Sequence, residues 1–147
     1  MEKLPPIEKI YEAYSVLADE RLDMKEEQNE AVITSSDQAK HYTVRWEGTH
    51  YTSNDNATFW AGYPGYPVLA VWMAQGILPV NREIAGQFRQ VNWNELNRQY
   101  RRNYSKAAEA VMQERGMDIP AVRQEAEHVF DVLKDLPYTV GRGKGKP

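Results

Sequence analysis

The spacing of apolar residues changes twice along this chain, and this change constrains the fold more than any other feature. Near the N-terminus, four apolar side chains lie three or four positions apart: Ile7, Ile10, Tyr14 and Leu17. Such spacing puts one apolar face on a helix. From about residue 31 apolar and polar residues alternate, as in a strand with one buried face, and from residue 68 helical spacing returns. The order predicts an α+β fold that begins with a helix.

A small antiparallel sheet is predicted in the middle of the chain. Its strands are expected at residues 31–34, 40–46 and 49–53, which are separated by turn-forming residues. The Glu47-Gly48 pair predicts a two-residue hairpin turn, which would place Val44 opposite Tyr51. We therefore predict a three-stranded meander. Four side chains share its predicted buried face: Tyr42, Val44, Trp46 and Tyr51.

The C-terminal half is predicted as a cluster of about four helices that pack on this sheet. Residues 68–75 are apolar on nearly all sides, which is typical of a buried helix, and a short helix is expected at 82–88. Asn92 and Glu95 have the spacing of a capping box, so the longest helix should begin there and continue to Gly116. A final helix is expected at residues 119–135.

The length and composition indicate one domain with a short tail. We assign residues 1–137 of the 147-residue chain to a single α+β domain and residues 138–147 to a flexible basic tail, because glycine alternates there with cations. No apolar run reaches the roughly 20 residues of a membrane span, so no membrane partner is expected. The N-terminus does not resemble a secretory signal and the chain has no cysteine, so a cytoplasmic location is expected.

Motifs for metal binding, nucleophilic catalysis and phosphate loops are missing from the sequence. The three histidines do not have the spacing of a metal site, and no metal or other cofactor is predicted. No nucleophile elbow or glycine-rich phosphate loop occurs. The sequence leaves enzymatic activity uncertain and leans against it.

Residues 59–67 form an aromatic segment that is the best candidate for a small-molecule site. Four aromatic residues alternate there with two glycines and two prolines, which predicts an ordered loop with bulky side chains. Aromatic walls with hydroxyl groups are common in ligand pockets. Six residues are candidate ligand contacts: Trp60, Tyr63, Tyr66, Asp55, His50 and Arg45. The alternatives are that Phe59 and Trp60 cover the core and that Asp55 stabilises a turn.

A set of cations gives a competing hypothesis, nucleic-acid binding. Arg98, Arg101 and Arg102 are spaced to form one ridge on the longest predicted helix. Five further cations could add phosphate contacts: Arg89 and Lys106 near the ends of this ridge, and Arg142, Lys144 and Lys146 in the tail. The net charge of −3 is unusual for a nucleic-acid binder, however, and a solvated helix face is the commoner explanation.

Three functions therefore remain open at the level of sequence. The leading hypothesis is a non-catalytic interaction or assembly module, because catalytic motifs are missing and charges are segregated. Its partner would be a second copy of the chain, in a dimer formed through the apolar faces of the C-terminal helices. The alternatives are nucleic-acid binding through the arginine ridge and tail, and small-molecule binding or cofactor-free catalysis at the aromatic segment.

Overall fold

One five-stranded mixed sheet organises the computed structural model, which describes residues 1–147. Its strands are β1 (Leu22–Lys25), β2 (Glu30–Thr34), β3 (His41–Glu47), β4 (His50–Ser53) and β5 (Thr139–Arg142). They are arranged in the order β1-β2-β3-β4-β5. The first four strands pair antiparallel with their neighbours, whereas β5 pairs parallel with β4. The predicted α+β class is confirmed, but the sheet has two strands more than the predicted meander.

Six α-helices and two shorter turns complete the fold. The helices are α1 (Lys9–Ala18), α2 (Tyr66–Ala74), α3 (Arg82–Gly86), α4 (Trp93–Gln99), α5 (Tyr104–Glu114) and α6 (Ile119–Lys134). A 3-10 turn spans Glu26–Gln28, and a π-helix spans Ala57–Ala61. None of the helices combines the length and apolar character that a membrane-spanning segment requires. The predicted cluster of about four C-terminal helices thus consists of more and shorter elements.

The buried face of the sheet agrees with the predicted face, although the hairpin register does not. Tyr42, Val44 and Tyr51 are buried. Trp46, not Val44, lies opposite Tyr51. The two turn residues are 48 and 49 instead of the predicted 47 and 48. Gly48 takes a left-handed φ of 59° at the first of these positions, and Glu47 remains in β3. Because the register differs by an even number of residues, every side chain keeps its predicted face.

Both additional strands come from segments that the sequence analysis assigned otherwise. Residues 22–25, which lie outside the predicted meander, pair with β2 as an outer strand. Residues 138–147 were expected to be a flexible tail, but Thr139–Arg142 pair with β4, and the amide of Gly143 donates to the carbonyl of Ser53 at 2.9 Å. This pairing satisfies backbone groups on the outer edge of β4, and a strand needs no apolar side chains for that purpose.

The longest predicted helix is interrupted, and this corrects the predicted arginine ridge. The helix expected at residues 92–116 is divided into α4 and α5. Arg101 and Arg102 occupy left-handed conformations with φ of 51° and 64°. Asn103 then caps α5 by accepting a hydrogen bond from the amide of Lys106 at 3.1 Å. Arg98 therefore lies on one helix, while the other two arginines lie in the break.

The core lies between the sheet and α1, with α2 in the middle. Helix α2 contacts α1 as well as β1, β3 and β4, which explains why its sequence is apolar on nearly all sides. Its Trp72 is fully buried and meets Tyr51 edge-on at a centroid distance of 5.4 Å. The apolar face of α6 is also buried in this core, including Val122 and Leu133. That face is therefore used within the chain, and the predicted dimer gains no support from it.

Candidate functional site

A cleft of about 610 Å³ opens between α1, the aromatic segment and the break between α4 and α5. We call it the aromatic cleft. Its lining includes four tyrosines and one tryptophan: Tyr42, Tyr63, Tyr66, Tyr104 and Trp60. Seven polar or charged side chains complete most of the wall: Lys9, Glu12, Asp55, Asn94, Asn97, Arg98 and Arg102. The volume is within the usual range of small-molecule pockets, about 300–1,000 Å³.

The π-helix Ala57–Ala61 presents Trp60 at the edge of the cleft. Trp60 is the one large hydrophobic side chain that is exposed, with 59% of its surface accessible. Its ring meets Phe59 edge-on at 4.7 Å between centroids. The guanidinium of Arg142 lies 5.0 Å from the Phe59 ring centroid and 5.8 Å from that of Trp60. The side chain of Trp60 is therefore open to solvent but held by its neighbours.

Asp55 lies at the start of this π-helix and stabilises it. Its carboxylate accepts hydrogen bonds from the Ser53 hydroxyl at 2.5 Å and from the Thr58 amide at 3.1 Å. The Thr58 hydroxyl in turn accepts from the amide of Gly65 at 3.0 Å. A Cβ atom at Gly65 would lie 2.0 Å from Asp55 Oδ2, so only glycine fits there. Asp55 thus has the turn role that was its alternative in the sequence, at the wall of the cleft.

A buried ion pair between Lys9 and Glu12 forms another part of the wall. The ammonium lies 3.1 Å from Glu12 Oε2 and 4.2 Å from the ring centroid of Tyr104. Burial raises the pKa of the Glu12 carboxyl above 4.5, and the charge of Lys9 only partly offsets this effect. Burial lowers the pKa of Lys9, but the Glu12 and Tyr104 charges outweigh it and hold that pKa above 10.5. The pair places two titratable groups beside any bound molecule.

The break between α4 and α5 supplies the cations of the cleft. Arg98 and Arg102 line it, and neither guanidinium forms an ion pair within the protein. Nearby, the side-chain oxygen of Asn97 is buried and has no hydrogen-bond partner. The two free guanidinium groups could bind an anionic group, and the unsatisfied amide oxygen could accept a hydrogen bond from a donor on the same molecule.

Three of the tyrosine hydroxyls of the cleft remain protonated at neutral pH. Burial raises the pKa of Tyr42, Tyr63 and Tyr66 above the ordinary value of 10.0. Tyr42 and Tyr66 meet edge-on at a centroid distance of 6.3 Å. These groups can therefore donate hydrogen bonds to a ligand without adding negative charge to the cleft.

The structure brings together residues from both competing site hypotheses. Of the predicted small-molecule contacts, Trp60, Tyr63, Tyr66 and Asp55 line the cleft, and so do Arg98 and Arg102 from the predicted nucleic-acid set. Six of the predicted residues do not line it: Arg45, His50, Arg89, Arg101, Lys106 and Arg142. The same is true of Lys144 and Lys146.

Several of the excluded residues have contacts elsewhere. Arg45 forms an ion pair with Glu30 at 2.8 Å. His50 shares a hydrogen bond of 2.7 Å with Thr139 on β5. Arg89 lies at a different, more polar surface cleft. These residues are therefore not part of the candidate site.

Sequence reasoning missed Lys9, Glu12, Asn97 and Tyr104. Lys9 and Glu12 lie outside the apolar face predicted for the first helix, and charged residues at such positions usually face solvent. The one signal in the sequence was that Lys9 and Glu12 lie three positions apart, because oppositely charged residues at this spacing on a helix can form an ion pair. Burial of both groups follows from the packing of α1 against other elements, which the local sequence does not report.

No group of three or more His, Asp or Glu side chains lies close enough together to hold a metal ion. The three histidines are separated: His41 contacts Thr34, His50 contacts Thr139, and His128 is exposed on α6. The chemistry of the aromatic cleft is accordingly that of aromatic rings, hydroxyls, amides and charged groups.

Comparison with known proteins assigns the chain to a family. The family model described as uncharacterised conserved protein UCP014422 matches residues 2–139, so the chain belongs to that family. The matched range includes every residue that lines the aromatic cleft. No curated protein and no solved structure matches the chain significantly.

Proposed function

We propose that this member of the UCP014422 family binds a small anionic molecule in the aromatic cleft. The observation that carries the proposal is the convergence of Arg98 and Arg102, neither of which is paired within the protein, on the wall that also holds the aromatic segment. Unpaired guanidinium groups bind phosphate and carboxylate groups through paired donors. Pockets with aromatic walls and a few polar groups are typical ligand sites.

The charge of the cleft supports an anionic ligand. Lys9 and Glu12 largely neutralise each other, and the Asp55 carboxylate is engaged by Ser53 and Thr58. With Lys9, Arg98 and Arg102 set against Glu12 and Asp55, three cations face two carboxylates in the lining, and its net charge is positive. The whole chain carries a net charge of −3, so this local positive character stands out against the surface as a whole.

The backbone of the break also supports a binding role. Two consecutive residues other than glycine are left-handed there, Arg101 and Arg102. This conformation costs about 1–2 kcal/mol for each such residue. Strained residues of this kind concentrate at binding and active sites, where the strain fixes the position of a functional group. The cost is consistent with a requirement to hold Arg102 at the cleft.

A titration with small anions tests the proposal. Thermal unfolding would be followed with increasing inorganic phosphate, acetate, benzoate and adenosine monophosphate. We expect at least one of them to raise the Tm in a saturable manner, and a ligand at 100 times its Kd adds about 2.7 kcal/mol of stability. The double variant R98A/R102A should lose this response.

The matched control is Arg101→Ala, which removes a neighbouring arginine of the same break that does not line the cleft. It should respond to the anions as the wild type does. The proposal is wrong if no anion raises the Tm, or if the double variant responds as strongly as the control.

A further inference from the structure

We infer that the ligand of the aromatic cleft is a molecule in which a planar ring carries an anionic group, and that its ring stacks on Trp60. The inference rests on the proposed anion binding and adds the chemical class of the ligand. Its starting point is that Trp60 lines the cleft with 59% of its surface exposed, while every other large hydrophobic side chain is at least partly buried. An exposed indole offers a flat apolar face, and ring stacking can cover it.

Contacts on the protein side hold this indole in place. Phe59 meets it edge-on, and Arg142 lies beside both rings. Arg142 is itself fixed, because its Nε donates to the Phe59 carbonyl at 2.9 Å and its backbone belongs to β5. A side chain that is already held loses little conformational entropy when a ligand binds. Trp60 is therefore prepared for stacking before the ligand arrives.

The size of the cleft also favours a ring. A bare phosphate or carboxylate ion would contact the arginines but leave most of the roughly 610 Å³ filled with water. The arginines and the indole line this same cleft, and a pocket of this volume holds a molecule larger than a bare ion. Tyr63 and Tyr66 add protonated hydroxyl donors between aromatic surfaces.

One ring with one anionic group fits better than a nucleic-acid strand. A strand carries a negative charge on every nucleotide and is drawn to extended basic surfaces. Here the predicted arginine ridge is interrupted, and only Arg98 and Arg102 of that set line the cleft. The net charge of −3 repels a long polyanion further.

The test compares ligands that differ only in the ring. Calorimetric Kd values would be measured for adenosine monophosphate and ribose 5-phosphate, and for benzoate and acetate. We expect the member of each pair with an aromatic ring to bind at least about 5-fold tighter, since stacking on an aromatic side chain contributes a factor of roughly 5 to 150. The pair with the higher affinity identifies the anionic group as phosphate or carboxylate.

Trp60→Ala should abolish this ring preference, so that the two members of each pair bind with similar affinity, and Trp60→Phe should retain most of the preference. Because the indole is exposed, neither variant should alter the far-ultraviolet circular dichroism spectrum. Equal affinities within both pairs, with dependence on Arg98 and Arg102 preserved, would overturn the ring assignment and leave anion binding intact. No binding of any of the four anions would overturn both proposals. Tight binding of oligonucleotides that grows with length, without binding of mononucleotides, would overturn both in favour of a nucleic-acid ligand.

Discussion

Two of the buried polar residues on helix α1, Glu12 and Ser15, lie one turn apart and differ in how their surroundings satisfy them. Ser15 donates to the carbonyl of Phe88 at 2.6 Å and accepts from Trp93 Nε1 at 2.8 Å, and it is fully buried. Glu12 is nearly as buried, but it lines a cleft, where its ion pair is with Lys9. The hydrogen bonds of Ser15 form a closed network, in which every group has a partner, and this network joins elements of the fold. The surroundings of Glu12 are open, because they retain groups that can still respond to a ligand or a proton.

The surroundings of the two groups strengthen this contrast. Beside Ser15, the Phe88 and Trp93 rings stack at 6.2 Å between centroids, and neither is more than 3% exposed. Beside Glu12 lie the unsatisfied oxygen of Asn97 and the strained break between α4 and α5. Unsatisfied and strained groups are rare in cores and common at functional sites. The same helix therefore serves the architecture at one turn and the candidate site at the next.

The largest effect on stability is expected from breaking the closed network. Ser15→Ala leaves the Trp93 indole N–H and the Phe88 carbonyl buried without their partner, at about 1–3 kcal/mol each. We expect the free energy of unfolding to fall by about 2–4 kcal/mol in urea denaturation. Ligand affinity at the cleft should not change. Ser105→Ala, at an exposed serine, should stay within about 0.5 kcal/mol of the wild type.

A smaller effect, visible only as a dependence on pH, is expected at the open group. The folded protein holds the Glu12 proton more tightly than the unfolded chain does, because burial raises the pKa of this carboxyl above 4.5. Between the pKa of Glu12 in the unfolded chain and its higher pKa in the folded protein, the folded state binds more protons than the unfolded chain. The free energy of unfolding therefore falls as the pH rises from the first pKa to the second. The contribution to the slope is at most about 1.4 kcal/mol per pH unit.

Glu12→Gln should remove that slope, so its free energy of unfolding should rise relative to the wild type with increasing pH above 4.5. Denaturation series between pH 4 and pH 8, at intervals of roughly half a unit, would measure it. Ser15→Ala is the appropriate control, because it lowers the whole curve and keeps the carboxyl. If the free energies of unfolding of E12Q and the wild type change with pH in parallel, the difference that we assign to Glu12 and Ser15 is not electrostatic.

The smallest effect is expected from relieving strain beside the open group. Arg101→Gly removes a left-handed φ of 51° at a residue that does not line the cleft. Relief of about 1–2 kcal/mol is offset by about 0.5–1 kcal/mol of added unfolded-state entropy, so we expect a net gain of about 0.5–1 kcal/mol. Gln124→Gly, inside α6, should instead lose about 1 kcal/mol. Equal losses in the two variants would show that the break is unstrained.

The parts of the fold that follow from local patterns could be predicted from the sequence. The alternation of Tyr42, Val44 and Trp46 reports which side of β3 is buried, whatever the register. Strand β5 could not be predicted in this way, because its pairing depends on a distant edge and its residues carry no apolar pattern. The break at Arg101 and Arg102 was equally hidden, since the apolar spacing continues through it.

The candidate site could be predicted only in part, for a related reason. The aromatic segment and the arginines are each conspicuous in composition, and they therefore gave two separate hypotheses. Only the folding of the chain at the break shows that Arg102 and Tyr63 line one cleft. His50 and Arg45 were grouped with the aromatic residues through proximity in sequence, but their contacts are with β5 and β2.

The close approach of Gly65 to Asp55 has a consequence for the engineering of this protein. With 2.0 Å between Asp55 Oδ2 and any Cβ at position 65, these two positions cannot vary independently. A randomised library that aims to change ligand preference should hold both fixed, or shorten residue 55 whenever residue 65 gains a side chain. Diversity is better directed to Trp60 and Arg98, whose side chains are exposed and line the cleft.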